Sequence, residues 1–194
     1  MKVIGITGSS GSGKSTLTKI LANGLNAKAI YSDEVVKKMQ KKGTNYYKKI
    51  VETFGEEILN ENKEINRKKL AKIIFSKEED RNKMNEITKT YVLEEIKRQI
   101  KETKKEIVIV DAPILIESGL NKECNIIIVV ICNRKTQIER ICKRDNIEEK
   151  EAIARLNSQK SNEYYKKYAD YVVENDGGEY DKFVGRIRAS LQKL

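Results

Sequence analysis

Residues 1–16, MKVIGITGSSGSGKST, constrain this chain more than any other stretch. Val3-Ile4-Gly5-Ile6-Thr7 reads as a short buried strand, and Leu17, Ile20, Leu21 and Leu25 recur at helical spacing behind it. Between them Gly8 is followed, after four residues, by Gly13-Lys14-Ser15, the spacing of a phosphate-binding loop. Glycines let the backbone curl so that successive N–H groups face an anion, and the helix start adds unpaired donors and a positive dipole end. The bare pattern arises by chance in about one chain in a hundred of this size, and the required strand–loop–helix order makes chance rarer still. Gly11, Ser12, Gly13, Lys14, Ser15 and Thr16 are therefore the expected ATP-binding residues. Lys14 is placed to reach the β- and γ-phosphates, and the Ser15 hydroxyl to ligate Mg²⁺.

A sheet is the framework such a loop needs, and the apolar runs supply one. Ala27–Tyr31, Ile107–Val110, Ile126–Ile131 and Asp170–Glu174 read as further strands, the middle two as central parallel ones. Residues 44–103 break the strand–helix alternation with three helical stripes. These are Tyr47, Ile50, Val51 and Phe54, closed by Gly55; then Leu70, Ile73, Ile74 and Phe75; then Met84, Ile87, Tyr91, Val92, Ile96 and Ile100. Arg134–Lys143 reads as a helix, and Asp145–Ser161 as a charged, mobile helical flap. After Asp170–Glu174 come a turn at Asn175-Asp176-Gly177-Gly178 and a closing helix over Tyr180–Leu191. The expected architecture is a three-layer α/β P-loop NTPase fold with a five-stranded parallel sheet, a helical substrate-binding insertion and a small helical lid. In numbers, that is a single domain over 1–194 with a core of about 1–35, 104–139 and 166–194, an insertion of about 36–103 and a lid of about 140–165.

Composition removes several alternatives. There is no histidine, so histidine bases and histidine-bound metals are excluded. Cys124, Cys132 and Cys142 form no CxxC pair, which fits a reducing compartment and no structural zinc. The net charge of +10 is interleaved with acids, as in Lys101-Glu102-Thr103-Lys104-Lys105-Glu106, which reads as a solvated face and not a nucleic-acid stripe. No run of eighteen apolar residues offers a membrane span, and the first residues carry no signal-peptide pattern, so a cytoplasmic location is expected. The expected partners are small molecules, with no nucleic acid and no membrane. A monomer is expected, with weak oligomerisation left open.

Carboxylates and arginines complete the chemistry. Asp111 ends the strand IVIVD, where it can serve the Mg²⁺ shell directly or through water and line the substrate site. Asp33 follows the second strand, where an acceptor hydroxyl could give up its proton to it; a helix cap is the alternative role. Arg140 and Arg144, four apart on one helix, and Arg155 beyond them could clamp a transferring phosphoryl group, with salt bridges to Glu139, Glu148 or Glu149 as the alternative. Arg67, beside Asn66 at a helix start, could reach an anionic substrate group. Lys14, Asp33, Arg140 and Arg144 are thus the catalytic candidates, and Asp33, Arg67, Asp111 and Arg155 the substrate-binding ones.

With these residues assembled, the chain resembles the dephospho-coenzyme A kinase family over nearly its whole length. The likeness lies in GITGSSGSGKST at 5–16, Asp33, FGEEIL at 54–59, NRKKLAKIIFS at 66–76, VDAPILIESGL at 110–120, QIERICKRD at 137–145, RLNSQ at 155–159 and ADYVVEN at 169–175. The resemblance implies transfer of phosphate from ATP to the ribose 3′-hydroxyl of dephospho-CoA. It also implies Asp33 as acceptor-side base, helices 44–103 holding the pantetheine arm, and 140–165 as the lid. Two positions depart from the family pattern: Tyr31 stands where an Asp is usual, and Thr88-Lys89 where His-Pro is usual. A nucleoside or nucleotide kinase is the alternative. A GTP switch is disfavoured because Asn121-Lys122-Glu123-Cys124 lacks the Asp of a guanine-reading motif.

Overall fold

The computed structural model describes residues 1–176 and 184–185. Their contacts divide the chain into two compact units, Met1–Tyr31 with Thr103–Leu194, and Ser32–Glu102.

The first unit is built on a five-stranded parallel sheet of β1 (Lys2–Thr7), β2 (Lys28–Tyr31), β3 (Ile107–Asp111), β4 (Ile126–Ile131) and β5 (Tyr171–Glu174), in the order β2-β3-β1-β4-β5. Valine and isoleucine dominate the three central strands because both faces are covered, which leaves no place for alternating polar residues. Ile4, Ile6, Ile109, Ile128, Val130 and Val173 pack with Leu17 and Leu21 of α1 (Lys14–Gly24), and Val184 joins them. Register fixes the site: Ile6 pairs with Asp111, and Tyr31 of β2 also pairs with Asp111. Ala112 N–H donates to Ile6 O at 3.1 Å, and Thr7 Oγ1 to Pro113 O at 3.2 Å, so β3 stays locked to β1 past the last paired residue. The loop after β1 and the carboxylate ending β3 therefore emerge together at the carboxyl ends of central strands, where open parallel sheets bind ligands.

The second unit is helical. It comprises α2 (Ser32–Met39), α3 (Asn45–Phe54), α4 (Arg67–Ser76) and the long α5 (Glu78–Glu102). Thr44 caps α3 by accepting from Tyr47 N–H, and Gly55, at φ 81°, ends it; Asn66 caps α4 by accepting from Lys68 and Lys69 N–H. Tyr46, Ile50, Phe54, Ile58 and Leu70 form its core, with Met84, Ile87 and Tyr91 of α5 against them. The Thr88 hydroxyl donates to Met84 O at 2.8 Å and accepts from the buried Tyr46 hydroxyl at 2.9 Å. Thr88, where the family pattern has histidine, is thus a tie between α5 and α3.

The chain returns to the first unit with α6 (Arg134–Asp145), α7 (Glu149–Asn157) and α8 (Asn162–Lys166). The expected helix from Arg134 runs two residues further than its pattern suggested, because Asn146 adopts a left-handed cap (φ 51°) only after Asp145. The charged flap is α7, joined to α6 by a small apolar cluster of Ile141, Ala152 and Leu156 and started by a reciprocal capping box between Glu148 and Glu151. Gly177 and Gly178 of the expected turn lie outside the described residues, as does the expected closing helix except for Val184 and Gly185, which are helical.

Ile128 is fully buried in a central strand. Ile128→Ala is expected to lower unfolding free energy by about 2–5 kcal/mol, read from the midpoint shift in urea at unchanged slope.

Candidate active site

Three glycines of the loop lie in left-handed or extended positive-φ conformations, Gly8 at 137°, Gly11 at 76° and Gly13 at 97°. Each is also pressed against a neighbour. A Cβ would stand 2.1 Å from Val130 O at Gly8, 2.7 Å from Gln137 O at Gly11 and 2.1 Å from the Asn175 side-chain nitrogen at Gly13. Both conformation and space demand glycine there. Curling the chain this way turns main-chain carbonyls outward, where burial would leave them unpaired. Arg140 and Asn175 answer this: Arg140 donates to Gly11 O and to Asn175 O, both at 3.2 Å, and the Asn175 amide donates to Ser12 O at 2.7 Å. On the other half of the loop, the buried Gln137 donates to Ser9 Oγ. Gln159 accepts from Ser10 N–H at 2.8 Å and donates to Ser10 Oγ at 2.9 Å. Among the described residues, the N–H groups of Gly11, Gly13 and Ser15 have no hydrogen-bond partner. These are the donors that a phosphate oxygen would take.

Lys14 is 9% exposed, and its ammonium donates to Ser9 O at 2.8 Å, so the charge is folded across the loop. Ser15 Oγ donates to Asp111 Oδ2 at 2.7 Å, and Asp111 is itself buried. A hydroxyl and a carboxylate that touch at the head of α1 make a hard, all-oxygen pair. Such a pair suits Mg²⁺, which takes one or two protein oxygens and keeps water and phosphate for the rest. Among the described residues no group of three or more Cys, Asp or Glu gathers into a metal cage. Ser12 is fully buried with no partner for its hydroxyl among the described residues, while Thr16 is exposed and bonds Gly13 O through its own N–H at 3.1 Å.

This assembly matches known proteins across the chain. The family model described as dephospho-CoA kinase covers residues 2–181. The chain belongs to the dephospho-CoA kinase family. A dephospho-CoA kinase from Bacillus cereus is 42% identical over 179 residues, spanning 90% of this chain and 88% of its own. One from Fusobacterium nucleatum is 40% identical over 182 residues, spanning 93% of each. Among solved structures, a dephospho-CoA kinase from Campylobacter jejuni superposes with a TM-score of 0.69 at 29% identity, over all of this chain and 97% of that one.

Family membership makes the remaining candidates worth locating. Arg144 forms a two-point pair with Asp145 at 2.8 and 2.9 Å, and Arg155 bonds the same carboxylate. Among the described residues Arg155 makes no ion pair with Glu139, Glu148 or Glu149, because the tight turn at Asn146 folds α7 back so that Arg155 meets the end of α6. Arg144 foremost, with Arg155, holds the Asp145 carboxyl well below the usual carboxylate range. Arg140, one helical turn before Arg144, serves the loop carbonyls instead of that pair. Arg67 donates to Gln40 Oε1 at 3.2 Å on an exposed face of the helical unit. Asp33 is exposed in the first turn of α2, two residues beyond Tyr31, with no partner for its carboxylate among the described residues. Burial pushes the Cys124 thiol up to about 12 and the Cys132 thiol up to about 11, so both stay protonated and neither is a nucleophile. Among the described residues, no helix is long and apolar enough to cross a membrane.

Sequence reasoning missed Gln137, Gln159 and Asn175. All three lie inside the family motifs given above, yet a neutral amide carries no pattern that says which carbonyl or N–H it will meet. Asn175→Asp replaces the donor to Ser12 O with a carboxylate facing a carbonyl. It is expected to weaken ATP binding at least tenfold by calorimetric titration, whereas wild-type affinity would show that the loop holds itself.

Proposed function

We propose that this chain transfers the γ-phosphoryl group of ATP to the ribose 3′-hydroxyl of dephospho-CoA, releasing ADP and coenzyme A. Family membership supports the kinase activity and its substrate. The observation that carries the chemistry is the Ser15–Asp111 contact at the mouth of a loop in which the N–H groups of Gly11, Gly13 and Ser15 meet no partner among the described residues.

In this reading the loop amides bind the β- and γ-phosphates, and Lys14 leaves Ser9 O to follow charge onto the bridging and γ-oxygens as the bond breaks. Ser15 and Asp111 would hold Mg²⁺, which when bound neutralises phosphate charge and fixes the triphosphate's orientation. Asp33 accepts the proton of the attacking hydroxyl, and the ADP oxygen takes the electron pair of the broken bond. A carboxylate without a protein partner is available for this; one tied down as a cap would not be. Arg140 supports the loop from behind. Basic residues outnumber acidic ones across α6 and α7, which leaves net positive charge there for a phosphoryl group to draw on. We read residues 140–165 as the lid, whose closure would exclude water from the transferring group. Arg67 and the helical unit would serve the acceptor, Arg67 on an anionic group. The protein is expected to act as a monomer, and the expected compartment is the cytoplasm.

Incubation with MgATP and dephospho-CoA should give ADP and coenzyme A in equal amounts, with a panel of nucleosides and nucleotides giving little. ADP without coenzyme A would contradict the proposal. Asp33→Asn should reduce turnover at least a hundredfold with nearly unchanged ATP affinity, since a positioned general base contributes about 10²–10⁴. Near-normal turnover would reduce Asp33 to a helix-start residue. Lys14→Ala should impair both ATP binding and turnover.

A further inference from the structure

We infer that Gln159 is a positioning residue for ATP, a neutral two-point clasp that joins the α6–α7 pair to Ser10 and sets the phosphate loop for binding. The inference rests on reading that loop as the ATP site.

Ser10 is the third residue of the glycine-bounded turn, and unlike Ser9, Gly11 and Ser12 it is held by a side chain through both its main chain and its hydroxyl. The Gln159 carboxamide accepts from Ser10 N–H and donates to Ser10 Oγ. An amide sets an acceptor and a donor side by side, so it makes both bonds at once and brings no charge. A carboxylate would add negative charge beside the turn that receives a triphosphate.

Gln159 is itself well anchored. Its N–H donates to Leu156 O at 3.1 Å, continuing the last turn of α7, and Leu156 packs into the cluster with Ile141 and Ala152. Arg155, one turn earlier, binds Asp145 at the end of α6. The other clasp on this half of the loop, Gln137, projects from α6 itself. Consecutive serines are therefore gripped from the two arms of one helical pair. A displacement of that pair would be felt at Ser9 and Ser10, beside the Ser9 carbonyl that receives Lys14. The helical pair that carries Arg144 and Arg155 is thereby mechanically tied to the loop that holds the phosphates.

A double-mutant cycle tests this, using titration of the full-length protein with the Mg²⁺ complex of a non-hydrolysable ATP analogue. Ser10→Ala, which keeps the N–H and loses the hydroxyl, should weaken binding about threefold, and Gln159→Leu about tenfold, as loss of one and two neutral hydrogen bonds implies. The double variant should match Gln159→Leu, because the hydroxyl has no role once the amide is gone. In steady state Gln159→Leu should raise KM for ATP and leave KM for dephospho-CoA unchanged. Gln159→Glu keeps the reach and the fold, and should bind the analogue more weakly than wild type at low salt, with the gap narrowing as ionic strength rises. Wild-type binding by Gln159→Leu or Gln159→Glu, effects that multiply in the double variant, or an equal rise in both KM values would overturn the inference. If wild type binds the analogue yet does not phosphorylate dephospho-CoA, the acceptor reading fails while the binding cycle still decides the clasp. If wild type does not bind the analogue, the clasp fails with the ATP site.

Discussion

A backbone that presents its N–H groups to an anion must send its carbonyls elsewhere, and a buried carbonyl without a donor costs about 1–3 kcal/mol. That constraint organises the site. Gly11 O and Ser12 O point away from the phosphate side and meet Arg140 and Asn175; Ser9 and Ser10 are fixed by Gln137 and Gln159. The donors come from α6, from the second residue beyond α7 and from the residue that follows β5, so the sheet and the helices behind it are needed to hold eight residues in shape. Glycine at three positions follows from the same crowding, since Val130 O, the Gln137 backbone and the Asn175 amide leave no room for a Cβ.

The parallel sheet places the second half of the chemistry. Because β3 pairs with β1 and its last residue lies opposite Ile6, Asp111 arrives within hydrogen-bond reach of Ser15, ninety-six residues away in sequence. Shifting β3 by one residue would carry its carboxylate to the other face of the sheet. The aliphatic burial of IVIVD on both faces, locked by the bonds from Ala112 and Thr7, holds that register.

Much of this was readable in advance, for a physical reason. The glycine-lysine-serine spacing, the doubly buried strands and the three helical stripes are local patterns, and each folded as its period required. The polar tertiary contacts were not local. Asn175 and Gln159 look like ordinary amides in the chain and reveal their function only when the sheet order brings the end of β5 and the end of α7 to the loop. For Arg155 the sequence leaves a phosphoryl clamp and a nearby glutamate as alternatives, and the turn at Asn146 brings it to Asp145, which neither names. Thr88 read as a departure on the acceptor side, and within the helical unit it joins two helices through the Tyr46 hydroxyl.

Held by those four side chains, the loop is already set before nucleotide arrives. Backbone ¹⁵N relaxation on the nucleotide-free protein measures this directly. Order parameters for residues 8–15 should equal those of β1, at about 0.85, and change little when nucleotide is added. Values below about 0.6 that rise only on binding would show that the triphosphate, and not the four side chains, shapes the loop.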